Sequence, residues 1–178
     1  MKKFIAALVV FFSISIFAYS TELPNGYKNI QLGMTFEQVK EILDNDITFG
    51  YRGDRDISLL PGENRILIQT NPNRHGFSFL DECYFQFYDG KLYIITINMN
   101  QEKMDHYSVF STLTKKYGNP NALNPKKSTW ENSKVIMALE RPLALKYTDK
   151  IVADQIKNQA LVDKTAMEKI RQQFLEGL

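Results

Sequence analysis

The chain has 178 residues, 44% of them hydrophobic and 12% aromatic, with 22 basic and 20 acidic side chains and one cysteine, Cys83. This suffices for one domain with a real core, or for two small repeats that share one. A lone cysteine excludes an internal disulfide, and a formal net charge of +2 provides no basic surface of the kind that holds nucleic acid.

The first twenty residues, MKKFIAALVVFFSISIFAYS, have the charge and hydropathy profile of a secretory signal peptide. Lys2 and Lys3 form a positive n-region, and Phe4 to Ala18 is apolar apart from two serines. Ala18-Tyr19-Ser20 puts small residues where a signal peptidase reads, so cleavage is expected after Ser20. The mature chain, residues 21–178, is thereby placed in the periplasm or outside the cell. The stretch falls short of the roughly 20 residues that a spanning helix needs, which leaves an uncleaved anchor as the alternative. No cysteine lies near Ser20, so a membrane-proximal protein without lipid attachment at that point is expected. Removal of Lys2 and Lys3 leaves 20 basic against 20 acidic residues, a neutral chain whose fold must rest on core burial.

After a polar lead, Thr35 reads as a helix N-cap: Gln38 lies three residues on, as a capping box requires, and Met34 stands where it can staple to Val39. Phe36, Val39, Ile42 and Leu43 recur at helical spacing, with an end near Asp44. From Ile47 to Thr70 turn residues separate two short strands, Ile57 to Leu60 and Arg65 to Gln69. CYFQFYDGKLYIITINM is a hairpin, with Asp89-Gly90 supplying the positive φ angles of a two-residue type I′ turn. Regular pairing from that turn sets Phe87 against Leu92, Phe85 against Ile94 and Cys83 against Thr96. The face Cys83, Phe85, Phe87, Leu92, Ile94 and Thr96 should meet the helices; Tyr84, Gln86, Tyr88, Lys91, Tyr93, Ile95 and Ile97 should form the other.

A second helix should start near Asp105, with His106, Phe110, Leu113 and Tyr117 as its stripe, Lys115 and Lys116 at its negative end and Gly118 and Pro120 as its stop. Lys127 to Glu131 and Lys134 to Glu140 then flank Asn132-Ser133 as a hairpin, with Trp130 opposite Val135, and Leu143, Leu145 and Tyr147 alternate as a further strand. The order of helices and strands suggests half-repeats, residues 30–100 and 101–148. No Gly or Pro interrupts Asp149 to Glu176, where Val152, Ile156, Ala160, Met167, Ile170 and Phe174 mark a helix face broken by Asp163. This C-terminal helix, 149–176, is expected to wrap the sheet; the alternative is that its distal half projects towards a partner. The fold class is α+β, an antiparallel sheet with helices packed on one face.

Gly33-Met34-Thr35, followed by Gln38, Val39 and Leu43, resembles the G-M-T-x-x-Q-V-x-x-x-L helix start of the SmpA/OmlA family. That family contains the small lipoprotein subunit of the outer-membrane β-barrel assembly machine and is related in fold to the β-lactamase inhibitory proteins. Leu113, Tyr117-Gly118 and Pro120 are similar to a second half of the same theme, a helix that exits through Gly-x-Pro into an antiparallel sheet. The resemblance implies helices layered on one side of such a sheet and a protein that works by binding other proteins. The chain departs from it in lacking the lipid-bearing cysteine and in running from its first helix into Asp44-Asn45-Asp46.

No motif points to catalysis, a cofactor or a metal. Cys83 alternates with Phe85 and Phe87 towards an apolar face, where a cysteine behaves as a small hydrophobe. His75 and His106 have no zinc spacing, and the calcium-like start Asp44, Asp46, Thr48 has Phe49 where the turn glycine belongs. Asp54/Asp56 and Asp81/Glu82 read as solvated turn carboxylates, and Arg52-Gly53-Asp54 as a polar turn. What remains is surface: Tyr84, Tyr88 and Tyr93 on the hairpin, and Met167, Ile170 and Phe174 on the last helix, are candidate protein-binding residues. The expected function is protein binding in the envelope, with an envelope protein as partner. A small periplasmic hydrolase and a secreted enzyme inhibitor are the alternatives.

Overall fold

A computed structural model describes residues 22–62 and 64–177. The expected leader and its cleavage point lie outside them. A small ribbon, β1 (Gly26–Tyr27) and β2 (Ile30–Gln31), precedes helix α1 (Phe36–Asn45). Thr35 caps α1 through the full capping box: its Oγ1 accepts from Gln38 N, and Gln38 Oε1 accepts from Thr35 N at 2.9 Å. Two 3-10 turns, Ile47–Phe49 and Gly53–Asp56, lead into strands β3 (Ile57–Leu59), β4 (Arg65–Thr70), β5 (Leu80–Tyr88) and β6 (Lys91–Met99). Helix α2 (His106–Tyr117) is followed by β7 (Ala122–Leu123), β8 (Lys127–Glu131), β9 (Val135–Glu140), β10 (Ala144–Asp149) and helix α3 (Lys150–Glu176).

Strands β3 to β10 form one eight-stranded sheet in the order β3-β4-β5-β6-β10-β9-β8-β7, antiparallel at every pairing. Each of α1 and α2 is thus followed by four strands, and the last strand of each set, β6 and β10, pair at the centre. The chain is an α+β protein with a long C-terminal helix, as its pattern implied. One face of the sheet carries Ile68, Cys83, Phe85, Phe87, Leu92, Ile95, Ile97, Trp130, Met137, Leu139, Leu145 and Tyr147, all buried. Helix α1 joins this core with Val39 and Leu43, its Phe36 ring meeting Phe87 edge-on at 5.4 Å. Helix α2 joins it with Leu113, and its Phe110 lies 6.1 Å from Trp130. The Trp130 indole donates to Gly118 O at 2.8 Å, satisfying its one polar atom where α2 ends.

Two registers differ from the regular pairing expected. Both turn residues of the β5–β6 hairpin have positive φ, 49° at Asp89 and 73° at Gly90, as a type I′ turn needs. Beyond Phe87 and Leu92, however, Tyr93 is an extra residue, so that Phe85 faces Ile95 and Cys83 faces Ile97. This bulge moves Ile94 and Thr96 to the other face and brings Ile95 and Ile97 into the core. Its cause is tertiary. Leu92 N donates to Met34 O at 2.8 Å and Leu92 O accepts from Gly33 N at 2.7 Å, so the residue before the bulge is bound to the segment that opens α1. Gly33 has φ 86°, which its lack of a Cβ allows. In the β8–β9 hairpin Trp130 faces Met137 rather than Val135. The Asn132 carboxamide accepts from Lys134 N and Val135 N at 2.8 Å each and holds a longer loop. A slip of two residues leaves every side chain on its expected face.

The third correction concerns α3. It does not wrap the sheet: none of its 27 residues is buried, and only positions near its start, such as Val152, Ala153 and Ile156, are even half-covered. Asp149 caps it through Ile151 N and Val152 N, and Lys150 is paired with Glu131 at 2.9 Å. The covered face of the sheet is already filled by α1 and α2. Burial of Asp163 in the helix stripe would cost desolvation of a carboxylate with no cation to meet it.

Candidate protein-binding surfaces

The sheet face opposite α1 and α2 carries Leu67, Gln69, Tyr84, Gln86, Tyr88, Tyr93, Ile94 and Thr96, placed there by the registers of β4 to β6. Tyr84 and Tyr88 are half-buried, while Tyr93, at the bulge, is only 6% exposed. The rings of Tyr88 and Tyr93 meet edge-on at 6.2 Å, and the Arg65 guanidinium lies 5.8 Å from the Tyr88 centroid, a cation–π distance. The Tyr84 hydroxyl donates to the Glu82 carboxylate, and that bond, with burial behind it, pushes its pKa up to about 12. Tyr84 and Tyr88 can therefore offer ring area to a partner, and Tyr93 acts by supporting Tyr88.

Met167, Ile170 and Phe174 lie on one side of α3, exposed by 66%, 59% and 68%. Ile156, Ala160, Asp163, Met167, Ile170 and Phe174 follow one another at alternating steps of four and three, the spacing of a coiled-coil seam. Lys157, Lys164 and Arg171 recur every seven residues beside that seam. This basic row was legible in the sequence but does not emerge from a reading of apolar residues alone. Leu161, Val162 and Leu175 add further exposed apolar area off the seam. Among the described residues no ring contact or hydrogen bond joins this group to the tyrosines.

Cys83 is fully buried, and burial pushes its thiol up to about 12, leaving almost no thiolate at neutral pH. Arg52 of the Arg-Gly-Asp tripeptide is ion-paired with the buried Asp56, and Asp54 with Lys40 at 3.0 Å. Asp46 accepts from Thr48 N and Oγ1, which with Lys28 holds its carboxyl below the usual range and ends α1. Asp81 and Glu82 line an open cleft of about 450 Å³ with Asn71, Asn73, Asn98 and Gln101; Asp81 accepts from Asn73 at 2.7 Å. His75 is exposed, and among the described residues no group of three or more His, Cys, Asp or Glu could hold a metal.

A family model described as the TP0088 domain matches residues 25–159. The chain belongs to the TP0088 domain family. No curated protein and no solved structure matches it. The matched TP0088 region contains both helix-and-strand sets, the tyrosine face and the start of α3, whereas Met167, Ile170 and Phe174 lie beyond it.

Proposed function

We propose that this protein works outside the cytoplasm as a protein-binding module of the cell envelope, with the distal part of α3 as its docking element. The observation that carries this reading is a three-residue apolar seam, Met167, Ile170 and Phe174, more than half exposed on a helix with no buried residue. Apolar area of that kind is stabilised by a partner that removes it from water, and an amphipathic helix is read through residues at such spacing. The partner suited to it is a helix with its own apolar seam and an acidic flank to meet Lys157, Lys164 and Arg171. Tyr84 and Tyr88 form a second contact area. The leader supports export, and the Gly33-Met34-Thr35 helix start, similar to that of the SmpA/OmlA family, supports a role in envelope assembly.

A photoreactive residue placed at Ile170 in intact cells tests the reading. The expected result is an adduct of one defined mass that disappears when Lys157, Lys164 and Arg171 are all replaced by Glu. Recovery of monomer alone, from Ile170 and from Tyr84 alike, would count against it.

A further inference from the structure

A cleft of about 410 Å³ lies between the first turn of α2, the β7–β8 turn with the start of β8, and the β9–β10 turn. Its walls are apolar where Tyr107, Phe110, Leu123 and Pro125 face it, and Tyr107 and Leu123 are exposed by 75% and 68%. Two cations, Lys127 and Arg141, also line it. Neither has a carboxylate partner among the described residues. The one acid in the cleft, Asp105, is already engaged: its carboxylate accepts from Ser108 N at 2.9 Å and from Ser108 Oγ at 2.6 Å. His106 completes the lining, and its Nε2 is shielded from solvent with no hydrogen-bond partner. The ring that carries this shielded nitrogen lines the cleft, so a charge seated there acts on its protonation.

We propose that this cleft binds an oxyanion carried on an apolar body, a carboxylate or a phosphate monoester of an aryl or alkyl group. The oxyanion meets Arg141 and Lys127 beside the His106 ring, while the body lies along Phe110, Leu123 and Pro125. A guanidinium favours such a group because its donors match two oxygens at once. Burial and the Arg141 charge now hold the His106 pKa below its ordinary value, with Asp105 acting in the opposite sense. An anion seated between His106 and the two cations opposes the Arg141 effect, so occupancy raises that pKa.

The chain has two histidines, so the ring resonances of His106 can be followed by NMR with the exposed His75 as an internal control, assigned through His75→Gln. Phenyl phosphate, benzoate and inorganic phosphate are the probes. The expected result is that phenyl phosphate or benzoate shifts His106 and raises its titration midpoint without moving His75, and binds about tenfold more weakly to Arg141→Gln and to Lys127→Gln. Which of the two binds more tightly identifies the oxyanion. Three results would overturn the proposal: no shift of His106 at millimolar probe, undiminished binding to both variants, or inorganic phosphate bound as tightly as either aryl probe.

Discussion

Helices α1 and α3 invert the usual relation between length and burial. The shorter, of 10 residues, puts Val39 and Leu43 into the core and packs Phe36 on Phe87, whereas the longer, of 27, has no buried residue. Both are capped by a side chain, Thr35 in one and Asp149 in the other, so the difference does not arise at their N-termini. It arises from continuity and from available space. The stripe of α1 is unbroken and meets an empty sheet face; that of α3 is broken by Asp163 and meets a face already covered. A helical period therefore says that a face exists, and only the rest of the fold says what fills it.

The most severe test of this contrast is truncation of large side chains on either side of it. Trp130→Ala should cost about 3–5 kcal/mol in urea unfolding, because the ring is 1% exposed, whereas Phe174→Ala should cost no more than about 0.5 kcal/mol. Equal costs would break the comparison. Alkaline unfolding comes next. The Cys83 thiol titrates at about 12 in the fold against an ordinary 9.0, so the stability it supports is whole below pH 9 and is lost as pH rises towards 12. A shift of that size corresponds to about 4 kcal/mol in the limit. Cys83→Ala should flatten that limb, and the native thiol should resist alkylation at pH 8 until the chain is unfolded; prompt alkylation of the folded protein would contradict the burial.

The bulge at Tyr93 sets a third and sharper test. Ile95→Ala should cost about 2–5 kcal/mol and Ile94→Ala less than half as much, since the extra residue puts the first inside and leaves the second half-covered. The reverse order would restore the regular hairpin. The smallest effect expected is about 1 kcal/mol for Thr35→Ala, which removes the acceptor for Gln38 N while leaving Phe36, Val39 and Leu43 in place.

These tests follow the line between what the chain announces and what it does not. The capping box at Thr35, the turn at Asp89-Gly90, the start of α2 near Asp105 and the burial of Cys83 follow from local pattern, and each was legible. The Tyr93 bulge was not, because it depends on Leu92 meeting Gly33 and Met34, residues far from it in sequence. Nor was the two-residue slip at Trp130, which one carboxamide, Asn132, decides by accepting two amides. Of the candidate surfaces, the three tyrosines could be placed on one face from alternation alone, but the burial of Tyr93 follows from the bulge. The exposure of Met167, Ile170 and Phe174 depended on knowing that α1 and α2 leave no room on the covered face.

Truncation after Gln159 tests the central claim most directly, with unfolding free energy and envelope crosslinking at Tyr84 measured on the same protein. The account predicts an unfolding free energy unchanged within about 1 kcal/mol and loss of the crosslinked partner. A large fall in stability, or full retention of the partner, would contradict it.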